Sequence, residues 1–391
     1  MKEYKNCRNP LLPPEIHIAD PEAHVMSDGR LYVYGSRDVK PNEYCSTSYS
    51  VFSTADMVNW TDHGTSFLLK QVPWAGQAAH TGYPVADWNL AAPTPYLVKA
   101  IGEMIPVIGK HPKLLRFLMK RLAGKVDLAD VIVSKTTPAL FAPDAIERKG
   151  KTYLYFCLSD YSEGIAVSVH PSGPFHTVGR LPIAGIDPAV FVDDDGQAYL
   201  FWGQFNAWGC RLKENMTELD EATLTKNIVT EEQHGFHEGS SIRKRNGIYY
   251  FVYPSVFGGK PSALSYATSD YPLGPYTYRG VIVDNASCDP GSWNIHGSIE
   301  EFNGQWYVFY HRPSGNSCFL RRLCAEPITF REDGTILSVP MTSIGAGKPF
   351  ALGETMLGLH FCELSGRCFD DGSRLTGVAA GDKIRIRYVD W

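Results

Sequence analysis

Five segments of this chain follow one plan, and that repetition constrains the fold more than any other feature of the 391-residue sequence. In each segment a short polar or acidic motif precedes a glycine turn and then an aromatic-rich run. The segments are ADPEAHVMSDGRLYVYGSRD from Ala19, APDAIERKGKTYLYFCLSD from Ala142, IDPAVFVDDDGQAYLFWG from Ile186, HEGSSIRKRNGIYYFVY from His237 and IHGSIEEFNGQWYVFYHR from Ile295. Asp-Gly, Lys-Gly and Asn-Gly pairs supply the positive φ that tight hairpins need, so each segment predicts a strand, a turn and a second strand.

The spacing of these segments predicts an all-β, five-bladed propeller. About 43 to 59 residues separate successive motifs in the last four segments, which is the length of a four-stranded blade. The first interval, from Asp20 to Asp144, is much longer and predicts an insertion. A β-sandwich with several hairpins is the alternative, because such turns are common, but five copies in the same order favour the propeller.

The insertion is predicted to contain a helix at about residues 97–130. Between residues 99 and 125 there are seven Lys or Arg residues and one acid, Glu103. Pro112 suits the first turn of a helix that places four leucines on one side. Such a basic amphipathic helix could contact a membrane or another subunit, although packing on the propeller with a solvated basic face is the more common arrangement.

The repeat ends near Pro340, and the chain beyond it follows another pattern. We predict a propeller over residues 1–345 and a short, incomplete β region over residues 346–391. In this region Ile384, Ile386 and Tyr388 alternate with other residues as in a strand. A truncated sandwich cannot close a core, so the region is expected to be poorly packed or to lean on the propeller.

Composition and charge exclude several classes of protein. The formal net charge of −5 does not suit a nucleic-acid-binding protein, and the chain lacks the run of about 18 apolar residues that a membrane span needs. The N-terminus shows no signal peptide, and the nine cysteines show no CxxC pair. These features predict a cytoplasmic protein with reduced thiols, or a secreted protein whose leader has been removed; they predict no oligomeric state.

Chemistry is predicted where the inner strands begin. The innermost strand of each propeller blade lines the central channel and opens at one face of the ring. Asp20, Asp187 and Glu238 hold this position in the first, third and fourth segments, so their carboxyl groups are expected to meet in one cavity. Confined carboxyl groups can differ in pKa, which lets one donate a proton while another accepts one. Taken singly, each is as readily a turn residue or, for Glu238, an ion-pair partner of Arg243.

Two other residues hold the matching positions in the second and fifth segments. Asp144 is expected to form hydrogen bonds near the sugar pocket, and His296 is expected in the channel. A single histidine is a weak indication of a metal. The three aspartates at 193–195 precede the hairpin glycine and are predicted to be solvated turn residues.

The motifs ADPEAHV, APDAI, IDPAVFVDDDGQAYLFWG, HEGSSI and IHGSIEEFNGQWYVFYHR together resemble glycoside hydrolase family 43 over roughly residues 15–340. That family comprises five-bladed propeller arabinofuranosidases, xylosidases and arabinanases that invert the anomeric centre. The resemblance implies that Asp20 is the general base and Glu238 the general acid. It implies that Asp187 is a third carboxyl group that raises the pKa of the acid and orients it.

The resemblance also implies a set of sugar-binding residues. Arg321 matches an arginine that reaches the sugar, with Arg322 as the alternative one position on and surface charge as the alternative for both. Trp74 matches an aromatic wall near the −1 sugar, and Phe141 stands where tryptophan is frequent. His296 matches a channel histidine that in some members helps to hold calcium or water. No cofactor is required, and a structural calcium ion is compatible with the pattern.

These implications predict an inverting exo-acting glycosidase that releases α-L-arabinofuranosyl or β-D-xylosyl units from plant-derived oligosaccharides. Two alternatives remain: an endo-arabinanase, which needs an open groove, and a non-catalytic sugar-binding propeller, which needs no acid opposite a base. The basic insertion is not part of the common family core and would enter near the pocket rim. The segment after residue 346 resembles the start of a family 6 carbohydrate-binding β-sandwich.

Overall fold

The computed structural model describes residues 1–76, 138–372 and 374–389. Within these ranges the chain forms five antiparallel sheets whose innermost strands contact one another in a closed ring. This arrangement confirms the five-bladed β-propeller. The helix predicted at about 97–130 falls between the described ranges.

The blades follow one another along the chain. Blade 1 contains β1 (Lys2–Lys5), β2 (Ile18–Val25), β3 (Leu31–Arg37), β4 (Ser48–Thr54) and β5 (Asn59–Leu68), in the order β1-β5-β4-β3-β2. Blade 2 contains β6 (Asp144–Arg148), β7 (Lys151–Cys157), β8 (Ser162–Ser168) and β9 (His176–Ala184). Blade 3 contains β10 (Ala189–Val192), β11 (Ala198–Trp202), β12 (Asn206–Leu212) and β13 (Leu219–Thr230).

The last two blades have the same antiparallel order. Blade 4 contains β14 (Ser241–Arg245), β15 (Ile248–Ser255), β16 (Ala263–Ser269) and β17 (Thr277–Asp284). Blade 5 contains β18 (Gly297–Phe302), β19 (Gln305–Ser314) and β20 (Ser317–Pro327). The described helical elements are short: α1 (Glu231–His234) and two 3₁₀ turns, Leu69–Gln71 and Gly358–His360. None of them is long and apolar enough to cross a membrane.

The predicted glycine turns join the two innermost strands of each blade. The pairs Lys149-Gly150, Asn246-Gly247 and Asn303-Gly304 have φ values between 50° and 81° at both residues. Two successive residues with positive φ define a type I′ turn, whose twist matches that of the flanking strands. The turn chemistry read from the sequence therefore sets the hairpins.

The N-terminal segment closes the ring beside the three-stranded blade 5. The backbone N–H of Leu11 donates to the carbonyl of Leu323 at 2.9 Å. The Asn9 side chain both donates to and accepts from the backbone of Ala325, at 2.9 Å in each case. Residues near the start of the chain thus complete the outer edge of the last blade, and apolar side chains of blades 1 and 5 pack in one cluster.

One of the turn aspartates in blade 3 differs from the prediction. Asp194 and Asp195 are exposed, as expected. Asp193 instead accepts hydrogen bonds from Lys244 Nζ at 2.6 Å and from the Tyr249 hydroxyl at 2.5 Å, and only 9% of its side chain is exposed. The tip of the blade 3 hairpin lies against blade 4, so Asp193 is a contact between blades rather than a solvated turn residue.

The chain after residue 345 packs against blade 5. Its described part contains two two-stranded ladders, β21 (Glu363–Leu364) with β24 (Ile384–Arg385) and β22 (Phe369–Asp370) with β23 (Leu375–Thr376). The strand predicted through Ile384 is therefore shorter than the alternation indicated. A buried ion pair joins Arg322 of blade 5 to Asp370, and the N–H of Ser343 donates to the carbonyl of Arg387 at 2.6 Å.

All nine cysteines are free, and seven of them are buried.

Candidate active site

A cavity of about 210 Å³ lies where the inner strands begin. Six of the eight predicted site residues line it: Asp20, Phe141, Asp187, Glu238, His296 and Arg321. The repeat therefore brings together side chains that are up to 301 positions apart in the chain. The described residues that line the cavity do not include Trp74 or Asp144.

Asp20 and Asp187 share one local conformation. Each precedes a proline and has a left-handed backbone, with φ values of 52° and 54°. In blade 1 the register of β2 against β3 shifts between Ala19 and Glu22, so a bulge accompanies this turn of the chain. Left-handed residues other than glycine are uncommon and cluster at functional sites. Here the conformation places both carboxyl groups at the cavity.

Positive groups surround the Asp20 carboxyl group. Arg321 Nη1 donates to Asp20 Oδ1 at 2.8 Å, and His296 Nδ1 lies 3.5 Å from the same oxygen. The backbone N–H of Asp20 donates to His311 Nδ1 at 3.2 Å. Burial alone would raise the pKa of Asp20, but Arg321 and His296 outweigh it and hold this pKa well below its usual value. Asp20 is therefore ionised at neutral pH.

Arg321 is held in place by Asp38. Its Nε donates to Asp38 Oδ2 at 2.8 Å and its Nη2 to Asp38 Oδ1 at 2.9 Å, a bidentate pair that fixes the guanidinium plane. The guanidinium also lies 4.9 Å from the centre of the Tyr44 ring. Arg322 points away from the cavity, toward Asp370. Arg321 therefore lies at the cavity and Arg322 does not, and both arginines are buried rather than surface charges.

The pKa values of Asp187 and His296 are both raised, but for different reasons. Burial raises the pKa of Asp187 well above its usual value; Glu238 and Asp20 add to this rise, while His296 opposes it. Burial alone would lower the pKa of His296, but Asp20, Asp187 and Glu238 outweigh it and raise this pKa to about 9. The imidazole Nδ1 lies 3.9 Å from Asp187 Oδ2. At neutral pH His296 is therefore an imidazolium among the carboxyl groups.

Glu238 is the most accessible of the three carboxyl groups. Its side chain is 28% exposed, against 7% for Asp20 and 8% for Asp187. Gln204 Nε2 donates to Glu238 Oε2 at 2.7 Å. Arg243, the alternative partner, pairs instead with Glu22 and Glu300, at 2.8 and 2.6 Å. Glu238 therefore faces the mouth of the cavity without an arginine partner among the described residues.

Asp144 lies deeper in the channel than predicted. Its Oδ1 is 2.7 Å from His24 Nε2, and its Oδ2 accepts from the backbone N–H of Val190 at 2.7 Å. Asp144 is the first residue of β6 and lacks the positive φ of Asp20 and Asp187. Its carboxyl group therefore stays within the ring of strands and does not reach the cavity, which corrects the assignment to the sugar pocket.

Trp74 contacts blade 2 rather than the cavity. Its ring stacks on Phe156, with centroids 6.2 Å apart, and its Nε1–H donates to Ser162 Oγ at 3.2 Å. The chain reaches Trp74 just after the 3₁₀ turn at Leu69–Gln71, which lies outside the repeats that align the inner strands. An aromatic wall is supplied instead by residues such as Phe141 and Trp293.

Several residues that line the cavity were not predicted from the sequence: Tyr44, Tyr161, Gln204, Trp293, Asn294 and His311. Gln204 directly follows the aromatic run of the third segment, and His311 ends that of the fifth. Because β-strands in a hairpin are antiparallel, the end of the second strand returns to the face where the first strand began. Polar residues at that position were the signal that could have identified both.

The channel below the cavity holds a cluster with metal-ligating side chains. Atoms of Glu22, His24 and Asp144 lie within 4.8 Å of one another. Arg243 Nη2, however, is 2.8 Å from Glu22 Oε1 and 3.5 Å from His24 Nε2, so a guanidinium already supplies the positive charge. These side chains do not fit a calcium site.

A five-bladed propeller with three carboxyl groups at one mouth of its channel defines the class of propeller glycoside hydrolases. The sequence profile of glycosyl hydrolases family 43 matches residues 123–336. The chain belongs to this family.

Curated relatives and solved structures agree with this placement. A xylosidase/arabinosidase of Bacteroides ovatus is 28% identical, and the match covers 84% of this chain and 96% of the relative. A xylosidase/arabinosidase of Thermoclostridium stercorarium is 30% identical, and the match covers 86% of this chain and 67% of the relative. A β-xylosidase/α-arabinofuranosidase from a compost metagenome, crystallised with xylotriose in a calcium-free form, superposes with a TM-score of 0.63 at 26% identity, covering 87% of this chain and 99% of that one.

Proposed function

We propose that this chain is an inverting, exo-acting glycoside hydrolase that releases α-L-arabinofuranosyl or β-D-xylosyl units from plant-derived oligosaccharides. The observation that carries the proposal is the meeting of Asp20, Asp187 and Glu238 in one cavity. The names of the relatives, which include xylosidases and arabinosidases, support the choice of sugars. A purely sugar-binding propeller has no need for an ionised carboxylate beside a second, accessible carboxyl group.

Asp20 is proposed as the general base. Its ionised carboxylate accepts a proton from the water that attacks C1 of the sugar. Arg321 and His296 keep this carboxylate ionised and oriented at 2.8 and 3.5 Å. The bidentate contact of Arg321 with Asp38 prevents the guanidinium from turning away.

Glu238 is proposed as the general acid, with Asp187 as its partner. Glu238 lies nearer the mouth, where a leaving group departs, and donates a proton to the glycosidic oxygen as the C1–O bond breaks. Glu238 adds to the rise that burial causes in the pKa of Asp187, so the two carboxyl groups interact electrostatically. This interaction supports the proposal that Asp187 is the partner of the acid.

The size of the cavity supports exo action. About 210 Å³ is below the usual range for drug-sized ligand pockets, which suits one terminal sugar better than the middle of a polymer. Phe141 and Trp293 provide apolar surface, while Arg321 provides a charged hydrogen-bond donor for hydroxyl groups. The cavity is therefore proposed to be the −1 subsite.

The region after residue 345 is proposed as a separate unit of the chain. Phe361, Leu364 and Cys368 form a small apolar cluster of their own, and the short strands pair only with one another within the described residues. This supports the proposed boundary at residues 345/346. Its contacts with blade 5 support a bracing role in this chain.

The test is an assay of the wild type and of Glu238→Ala on paired aryl α-L-arabinofuranosides and aryl β-D-xylosides. We expect the wild type to hydrolyse at least one series and the variant to lose about 10²- to 10⁴-fold in kcat on substrates with poor leaving groups. NMR of the first product formed should show the inverted anomer. No hydrolysis of either series by the wild type would refute the glycosidase, and a retained anomer would refute the roles given to Asp20 and Glu238.

Metal removal provides a separate prediction. Because the Arg243 guanidinium already supplies a positive charge in the cluster of Glu22, His24 and Asp144, catalysis is proposed to need no calcium. Dialysis against EDTA is expected to leave kcat/KM unchanged within about twofold. A loss of activity that added Ca²⁺ restores would show that a calcium site exists and is functional.

A further inference from the structure

The turn between β11 and β12 ties together two of the loops that carry carboxyl groups. The backbone N–H of Gly203 donates to the carbonyl of Ile186 at 3.1 Å, and the N–H of Phe205 donates to the carbonyl of His237 at 2.7 Å. Ile186 immediately precedes the proposed tuning carboxyl group, and His237 immediately precedes the proposed acid. The turn is therefore anchored at both ends, to blade 3 on one side and to the approach of blade 4 on the other.

Gln204, the middle residue of this turn, has its side chain in the cavity. Its Nε2 donates to Glu238 Oε2 at 2.7 Å, and its Oε1 accepts from the Tyr161 hydroxyl at 3.3 Å. Because a hydroxyl donor faces the amide oxygen, the amide NH₂ is the group turned toward Glu238. An amide does not titrate, so this donor persists whichever protonation state Glu238 adopts.

A donor at Oε2 distinguishes the two oxygens of the carboxyl group. Oε2 accepts the amide N–H, so the proton of the neutral acid resides on the other oxygen, Oε1. We infer that Gln204 is a positioning residue that makes Oε1 of Glu238 the oxygen that delivers the catalytic proton; the inference rests on the proposed function. In the step, the Oε1–H bond breaks, the proton goes to the glycosidic oxygen, and the electron pair of the C1–O bond leaves with that oxygen.

The test uses Gln204→Met, which keeps the length of the side chain and removes the donor. Rates are measured on two glycosides of the sugar that the wild type prefers, one with a dinitrophenyl and one with a phenyl leaving group. Dinitrophenolate departs with little help from an acid, whereas phenolate needs the proton. We expect kcat for the phenyl glycoside to fall roughly 10- to 100-fold, kcat for the dinitrophenyl glycoside to fall less than about threefold, and KM to change little.

Two control variants make the result decisive. Gln197→Met removes a glutamine of the same blade that donates only to backbone carbonyls, of Ala198 and Leu212, and should affect both substrates equally. Glu238→Ala should show the same dependence on leaving group as Gln204→Met, with a larger loss.

Each contrary result would overturn a different claim. Equal losses on both substrates in Gln204→Met, or no loss, would overturn the inference while leaving Glu238 as the acid. Absence of leaving-group dependence in Glu238→Ala would overturn the role of Glu238 and, with it, the role of Gln204. Failure of the wild type to hydrolyse either glycoside would overturn the proposed function itself.

Discussion

Asp20 and Asp187 have the same local sequence and opposite charge environments. Both stand in an Asp-Pro pair with φ near 50°. Burial raises the pKa of both, but Arg321 outweighs burial at Asp20, whereas Glu238 adds to it at Asp187, so the pKa falls at one and rises at the other. The side chains across the cavity, rather than the motif, therefore decide which aspartate suits the role of base.

The charge on His296 predicts how the unfolding free energy of the protein depends on pH. Its folded pKa of about 9 lies above the ordinary value of 6.5, so its contribution is fully present below about pH 6.5 and is lost as pH rises through about 9. The size of this contribution is roughly 3 kcal/mol. We expect the difference in unfolding free energy between wild type and His296→Gln, from urea titrations, to shrink by about that amount between pH 6 and pH 9.5.

His176→Gln serves as the control for general effects of pH, because His176 is exposed on β9. Its difference from wild type should stay within about 0.5 kcal/mol at each pH. A difference for His296→Gln that is equally independent of pH would show that His296 is not charged in the folded protein.

At the scale of the element, the start of each inner strand determines what its first acidic residue can reach. The left-handed residues before Pro21 and Pro188 turn their carboxyl groups into the cavity. Asp144, in regular strand conformation, stays beside His24 in the channel. The repeat predicts where an acid stands, but the local backbone decides whether it faces the substrate.

The turn that holds Gln204 is also predicted to depend on Gly203. This glycine has a φ of 133°, and a Cβ atom there would lie 2.2 Å from the carbonyl oxygen of Asn206. We expect Gly203→Ala to lower the unfolding free energy by about 2–4 kcal/mol and kcat by roughly tenfold or more, because both carboxyl loops bond to this turn. Urea titration and steady-state kinetics measure the two effects.

Gly280→Ala is the matched control, because Gly280 has a φ of 143° but open space around its Cβ position. This variant should lose about 1–3 kcal/mol of unfolding free energy, the cost of placing a non-glycine residue at this φ, and keep its kcat. Equal kinetic effects of the two substitutions would argue against a role of the turn in placing the carboxyl groups.

At the scale of the whole molecule, a segment before the repeat and a segment after it both contact blade 5. Asn9 and Leu11 bond to β20 from one side. On the other side Arg322, the neighbour of the cavity arginine Arg321, pairs with Asp370. The blade that completes the ring is therefore stabilised by residues outside the repeat.

This arrangement predicts a large effect of Asp370→Asn. Both partners of the Arg322–Asp370 pair are buried, with side chains 3% and 1% exposed. Removing the carboxylate leaves a buried guanidinium without its counter-charge, so we expect a loss of about 3–5 kcal/mol in unfolding free energy. Calorimetry or urea titration measures this loss.

Asp371→Asn is the neighbouring control, since Asp371 contacts Arg374, whose side chain is 80% exposed. The expected loss is below about 1 kcal/mol. Similar losses in both variants would indicate that the region after residue 345 contributes little to blade 5.

Local properties of the chain were sufficient to predict the architecture. Turn glycines, alternating strands and their spacing identify five blades, because hairpins form between residues close in sequence. The same repeat located Asp20, Asp187, Glu238 and His296 at one mouth of the channel.

Contacts between distant segments decided the rest of the site. The choice of Arg321 over Arg322, the support from Asp38 and His311, and the hydrogen bond from Gln204 to Glu238 join different blades or loops. The exclusion of Asp144 and Trp74 from the cavity likewise depended on their three-dimensional neighbours. Such contacts arise only when the ring closes, because side-chain direction and electrostatic environment are set by packing between blades rather than by the order of residues within one.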